Sequence, residues 1–398
     1  MKMPELDEFA EALMDQISVE INEEKEIAEL SKRINEDRNF TIEFENIENI
    51  SQKLFPNLVQ KVNEYTGLEV SDNLSIEYLE LDEFKKLKGK KVFTENARKF
   101  VDMLFDAVSK NDLKAITDII KEDIAKFLVY STYAKSYISK ISTTYGDYLD
   151  SKIYLNKFIL DDYPKIILYK HGAPYEPNAE SVKSGYIGAL KMTILEEIIH
   201  SLQDNLHRLN MKAVMQVNVI NEELAKTILE LDDKIATELT EYLQLMTVPD
   251  DFKVAKRANL FFMLNPDNFI TNVMGPDVMT YTNVEIDPKI SEIIPSLQEI
   301  YQRWLKPIQD QHAAFTIMEG MAEFVVQQIL KDDSDFQNYL TSFVGTNYSA
   351  YSVKKSTGKE FTEVLFDKFG KDAFVKLLTN PPNTRELKNP QLYLNRDR

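Results

Sequence analysis

The chain has 398 residues, 43% of them hydrophobic and 28% charged, enough apolar content to bury a substantial core and too much for a disordered chain. It contains no cysteine, which excludes disulfides and thiolate metal sites and leaves His, carboxylate and backbone oxygen as the available metal ligands. A formal net charge of -18 repels phosphate backbones and anionic lipid, which argues against nucleic-acid or membrane binding by the bulk surface.

From Pro4 to about Arg38, apolar residues recur at Leu6, Phe9, Leu13, Ile17 and Ile21, then at Ile27, Leu30 and Ile34. That is helical periodicity with an acidic outer face. The first 20 residues lack a basic segment followed by an apolar core, and no apolar run approaches the length needed to cross a bilayer, so a cytoplasmic protein is expected. Ser51 to Tyr65 predicts a second helix ending at Gly67, and Leu74 to Leu81 alternates apolar and polar residues like a half-buried strand. Thr94 to Lys110 and Leu113 to Tyr133 predict two further helices.

Near Tyr145 the pattern changes, and turn residues bracket two expected strands, Lys152 to Phe158 and Lys165 to Lys170. After the loop His171 to Asn178, a long helix is expected from about Ser181 to Leu209, with Ile187, Leu190, Ile194, Ile198 and Leu202 on one stripe. Asn221 to Met246, Pro288 to about Gln309, Ala313 to Leu330 and Gly358 to Leu378 complete the predicted helices. No internal repeat or low-complexity segment interrupts them. The expected class is α+β, mainly α, with a small sheet, divided into a helical region 1–67 and a domain 68–398 carrying a helical insertion at about 211–311.

Residues four apart on a helix share a face about 5 to 6 Å apart. In Glu196-Glu197-Ile198-Ile199-His200, therefore, Glu196 and His200 can aim at a common point, with Glu197 at the edge of that face. The segment Thr193 to Asp204 resembles the metal-site helix of zincin metallopeptidases, where His-Glu-Leu-x-His-Ala-Leu-Gln is frequent, except that Glu196 stands where those families have their first histidine. Met318-Glu319-Gly320-Met321-Ala322-Glu323 resembles the Glu-Gly-x-Ala box that supplies the third ligand in gluzincin-like families. The ending Pro381 to Tyr393 is similar to that of some zincin-like families, although Asn383 and Glu386 also have the spacing of a helix-capping box, which favours a structural role. Asp147 to Leu155 resembles the strand preceding the metal-site helix.

The resemblance implies a zincin-like fold with a long metal-site helix and helical elaborations. It implies Glu196, His200 and Glu319 as metal ligands, Glu197 as the base that activates water, Glu323 as an acid orienting a ligand, and Tyr348 or Tyr351 as the oxyanion donor. Two carboxylates and one imidazole are a harder donor set than the usual two imidazoles and one carboxylate. The divalent ion is therefore expected to be zinc, or manganese or iron(II), with calcium also better tolerated. Two anionic ligands should also acidify bound water less than an ordinary zinc site does. Without a cation, Glu196, Glu197, Glu319 and Glu323 would repel one another.

His207 and His312 sit two turns from His200 and Glu319, about 10 Å along a continuous helix, and are read as structural or surface residues. His171 is a loop residue that could border a cleft, and Trp304, Phe261 and Phe262 are expected in the core. Two functions remain open from these residues: a metallopeptidase-like hydrolase acting on a peptide or protein, and an inactive pseudoenzyme that uses the same fold to bind a protein partner. A helical scaffold carrying a chance motif is the third.

Overall fold

The computed structural model describes residues 4–40, 43–92, 94–131, 144–170, 179–245, 252–266, 280–342 and 350–396. The chain is mainly helical, with one small sheet among the described residues. It divides into two compact units, one formed by Met1–Val19, Lys88–Ser139 and Asn210–His312, the other by Glu20–Leu87, Lys140–Leu209 and Ala313–Arg398.

In chain order the described elements are α1 (Pro4–Glu36), α2 (Ile47–Thr66), β1 (Ser75–Leu79), α3 (Leu81–Val92), α4 (Glu95–Ser109), α5 (Leu113–Glu122), β2 (Gly146–Leu149), β3 (Lys152–Asn156) and α6 (Lys157–Lys170). They continue with α7 (Ala179–Ser201), α8 (Asp204–Leu229), α9 (Asp233–Tyr242), α10 (Lys253–Leu264), α11 (Pro288–Ile293) and α12 (Ser296–Leu330). The last are α13 (Ser334–Ser342), α14 (Ala350–Phe369), α15 (Asp372–Thr379), α16 (Thr384–Lys388) and α17 (Pro390–Leu394).

Every regular element described in the first unit is a helix, and the unit buries Trp304, Phe261 and Tyr130. Phe262, expected in the core, is exposed instead, because it neighbours Phe261 on a one-sided helix. The Glu5 carboxylate accepts the backbone N–H groups of Val254 and Ala255 at 2.9 and 3.2 Å, capping the start of α10.

The second unit holds the sheet, in strand order β1-β3-β2, with β1 parallel and β2 antiparallel to β3. Asp150 and Ser151, with φ of 50° and 63°, make the two-residue turn between β2 and β3. Two left-handed residues are what a hairpin turn matched to strand twist requires. Tyr148, Ile153 and Leu155 point from the sheet into a core shared with α7, where Leu190, Ile194, Leu195, Ile198 and Ile199 are buried. α7 is thus covered on several faces, by α2, α6, α13 and the sheet, rather than along the single stripe expected. Lys191 ties it to the start of α13 through Asp333 and Asp335, at 2.6 and 2.8 Å.

Close glycine contacts, those of Gly146, Gly188, Gly320 and Gly358 among them, set the spacing around α7 and α12. A Cβ on Gly146 of β2 would lie 2.6 Å from Thr193 Cγ2, so the strand can rest on α7 only without a side chain there. A Cβ on Gly320 would lie 2.1 Å from the Gly358 carbonyl carbon, and one on Gly358 would lie 1.9 Å from the Thr316 carbonyl oxygen. The backbones of α12 and α14 therefore touch at Gly320 and Gly358.

Several expected elements differ. Lys165 to Lys170 is the end of helix α6, not a strand; a short apolar run fits either, and Pro164 is accommodated inside the helix. The helix expected through Leu209 stops at Ser201 and restarts at Asp204. Pro288 to Leu330, by contrast, contains one 35-residue helix, α12, running through Pro307. Asn383 and Glu386 do form the capping box, and Arg396 clamps Glu386, so that ending is a structural lock.

Candidate metal centre

All the side chains of this centre belong to the second unit. α7 supplies Glu196, Glu197 and His200; α12 supplies Glu319 and Glu323; α14 supplies Lys355. One ligand atom from each of Glu196, His200 and Glu319 lies within 4.8 Å of the other two, so this group could hold a metal ion. Ligand atoms about 2.1 Å from a tetrahedral ion lie about 3.4 Å apart, so binding asks for an adjustment of at most about 1.4 Å. His200, Glu197 and Glu319 are buried, and Glu196 is partly so.

The orientation of His200 is set by a short relay. Gln203 donates from Nε2 to the Met318 carbonyl at 3.0 Å, and its Oε1 stands 2.8 Å from His200 Nδ1. A carbonyl can only accept, so the Gln203 amide nitrogen must face Met318 and its oxygen must face the imidazole. His200 Nδ1 therefore carries the hydrogen, which leaves Nε2 as the lone-pair atom for an ion. The relay also joins α12 to the end of α7 one residue before Glu319. Burial on its own would lower the His200 pKa, but the carboxylates of Glu319, Glu197 and Glu196, in that order, outweigh it and raise it.

The repulsion expected among four acids is met by a lysine. Lys355 Nζ pairs with Glu196 Oε1 and lies 3.4 Å from Glu323 Oε2, while Gln327 Nε2 donates to the other oxygen of Glu323. Glu323 thus connects to Glu196 through Lys355, whereas the resemblance implies that it orients a ligand. No local signal marked Lys355, which is 159 residues from Glu196 in sequence. Gln203 did lie inside the recognised segment, and its position after the histidine was the one available hint.

His207 lies closer to His200 than the expected ~10 Å. The break after Ser201 turns the chain so that its ring lies 5.6 Å from that of His200, edge to face at 75°, and 5.8 Å from the Tyr148 ring. Separation along a helix axis does not apply once the helix is interrupted. His312 belongs to the first unit. Tyr348 and His171 lie outside the described residues, and Tyr351 lies in the first turn of α14.

On the sheet side, a Cβ at Gly146 would stand 3.5 Å from Glu197 Cγ, so β2 borders Glu197 directly. Among the described residues no helix is long and apolar enough to cross a membrane. Comparisons with protein-family models, with curated proteins and with solved structures find no match, so the functional reading rests on the chain's own geometry.

Proposed function

We propose that the chain is a zincin-like metallohydrolase acting on peptide or amide bonds, with Glu196, His200 and Glu319 as cation ligands and Glu197 as general base. The observation that carries this reading is the convergence of three ligand atoms from α7 and α12, with Glu197 on the same helix beside them. When bound, a divalent ion supplies Lewis acidity to the carbonyl and acidifies water. Glu197 takes a proton from the attacking water and returns it to the leaving amine, so the carboxylate ends each cycle as it began. Gln203 holds the imidazole by Nδ1, so that Nε2 would be the atom offered to an ion. Tyr348 or Tyr351 is the proposed donor to the oxyanion. The hard donor set favours manganese or iron(II) over a soft-ligand zinc site. A cytoplasmic peptide or protein is the proposed substrate.

The test is elemental analysis of the purified chain beside Glu319→Gln, with peptide hydrolysis followed in wild type and Glu197→Gln. Stoichiometric metal that is lost with Glu319, and hydrolysis that is lost with Glu197, are expected. The Lys355–Glu196 pair supports a second reading, in which a lysine replaces the ion and the fold serves as a protein-binding pseudoenzyme. That reading expects no metal and no dependence on Glu197.

A further inference from the structure

Deepening the metal-site reading, on which it rests, we propose that Lys355 is a built-in counter-cation that offsets the glutamate at position 196 and limits the affinity of the site for divalent ions. A carboxylate there adds a negative charge that an imidazole would not, so Glu196 and Glu319 together bring two. The Lys355 ammonium returns one positive charge through Glu196 Oε1. The resulting ligand set has the net charge of a two-histidine, one-glutamate site. An ion approaching Glu196 meets a carboxylate already shared with an ammonium, and is held less tightly than two uncompensated carboxylates would hold it.

The lysine is not a loose surface group. Its side chain is 17% exposed, as Glu196 is 15% and Glu323 is 26%, so the charges face one another with limited water between them. Its helix is fixed one turn further on, where Gly358 and Gly320 bring the α14 and α12 backbones into contact. Glu323 supplies the second acid that holds the ammonium, and Gln327 occupies the other oxygen of that acid. Lys355 is thus a positioning residue that acts on the ion through Glu196.

The experiment is titration of the metal-stripped full chain with Mn2+ and with Zn2+, against a competing chelator dye, in a double-mutant cycle. Lys355→Met is expected to lower the dissociation constants at least tenfold. Lys355→Arg, which keeps the charge, should stay within threefold of wild type, and on a Glu196→Gln background Lys355→Met should change affinity less than threefold. Lys355→Gln serves in the same cycle if the Met variant fails to give a cooperative thermal transition. An unchanged or weaker affinity in Lys355→Met, or a gain that survives intact on the Glu196→Gln background, overturns the proposal while leaving the metal site standing. Ion binding that ignores Glu319→Gln in every variant removes the metal site and the lysine's role together.

Discussion

Replacing Gln203 tests whether the relay between α7 and α12 holds the centre together. Gln203 is fully buried and bonds both His200 Nδ1 and the Met318 carbonyl. Gln203→Leu fills the same space but strands the His200 Nδ1–H, whereas the Met318 carbonyl, inside α12, loses only its second partner. A stranded buried group costs about 1 to 3 kcal/mol and an ordinary lost hydrogen bond about 0.5 to 1.5 kcal/mol, so the variant should lose about 1.5 to 4.5 kcal/mol, measured by urea unfolding. That is a large share of the roughly 5 to 15 kcal/mol that keeps a domain folded. Gln203→Glu separates the two bonds, since a carboxylate still accepts from the imidazole N–H but cannot donate to Met318. It should lose about 0.5 to 1.5 kcal/mol, the net worth of the Met318 bond, and keep the imidazole tautomer. The tautomer is read from the 15N imidazole spectrum of the metal-free chain, recorded above the raised pKa of His200 so that the ring is neutral. Wild type and Gln203→Glu should show the hydrogen on Nδ1. Loss of an outer-shell partner typically weakens metal affinity about 10- to 100-fold, which is the expectation for Gln203→Leu. A Gln203→Leu variant within about 0.5 kcal/mol of wild type, or a wild-type ring protonated on Nε2, would refute the reasoning.

Glu197→Gln should leave metal content unchanged and slow peptide hydrolysis by about 10²- to 10⁴-fold, the usual share of a general base, in a steady-state assay. Gly358→Ala places a methyl 1.9 Å from the Thr316 carbonyl oxygen and should destabilise by about 3 kcal/mol, lowering the urea midpoint; an unchanged midpoint contradicts the close helix contact. Asp333 gives a pH signature. Burial raises its pKa, but the hydrogen bonds and charge of Lys191, with the Phe336 N–H, outweigh that and hold the carboxyl below its ordinary value. A depressed folded-state pKa contributes stability above the unfolded value of about 3.9 that is lost as pH falls through the folded one. Wild type should therefore melt above Asp333→Asn at neutral pH, and the two Tm curves should converge in acid.

What the sequence made legible was what is local. Glu196 and His200 are one helical turn apart, so periodicity alone put them on one face, and the Asn383–Glu386 box was readable because a cap spans only four residues. Lys165 to Lys170 misled because its apolar β-branched run suits a strand as well as a helix, and only the tertiary setting of α6 decides between them. Glu319 was reached by resemblance of its box, and Gly320 in that box has a physical reason, the contact with Gly358. Lys355 was out of reach because its relation to Glu196 exists only after α14 has packed on α12.

The break between α7 and α8 accounts for the Gln203 relay and the His200–His207 contact, which helical periodicity does not foretell. Neither Gly nor Pro marks it. Ser201 Oγ instead donates to the Ile198 carbonyl at 2.6 Å, and Leu202 and Gln203 close tight three-residue bonds onto Ile199 and His200 at 3.0 Å each. The helical ladder is thereby diverted within one turn. Had the helix run on, His207 would lie about 10 Å along the axis from His200, beyond the ring contact it makes. The interruption also turns Gln203 so that one end meets His200 and the other meets Met318. The spacing of Glu196 and His200 thus comes from helical periodicity, and the Gln203 bond that orients the histidine comes from a failure of that periodicity. A pattern reader detects the first and must extrapolate through the second.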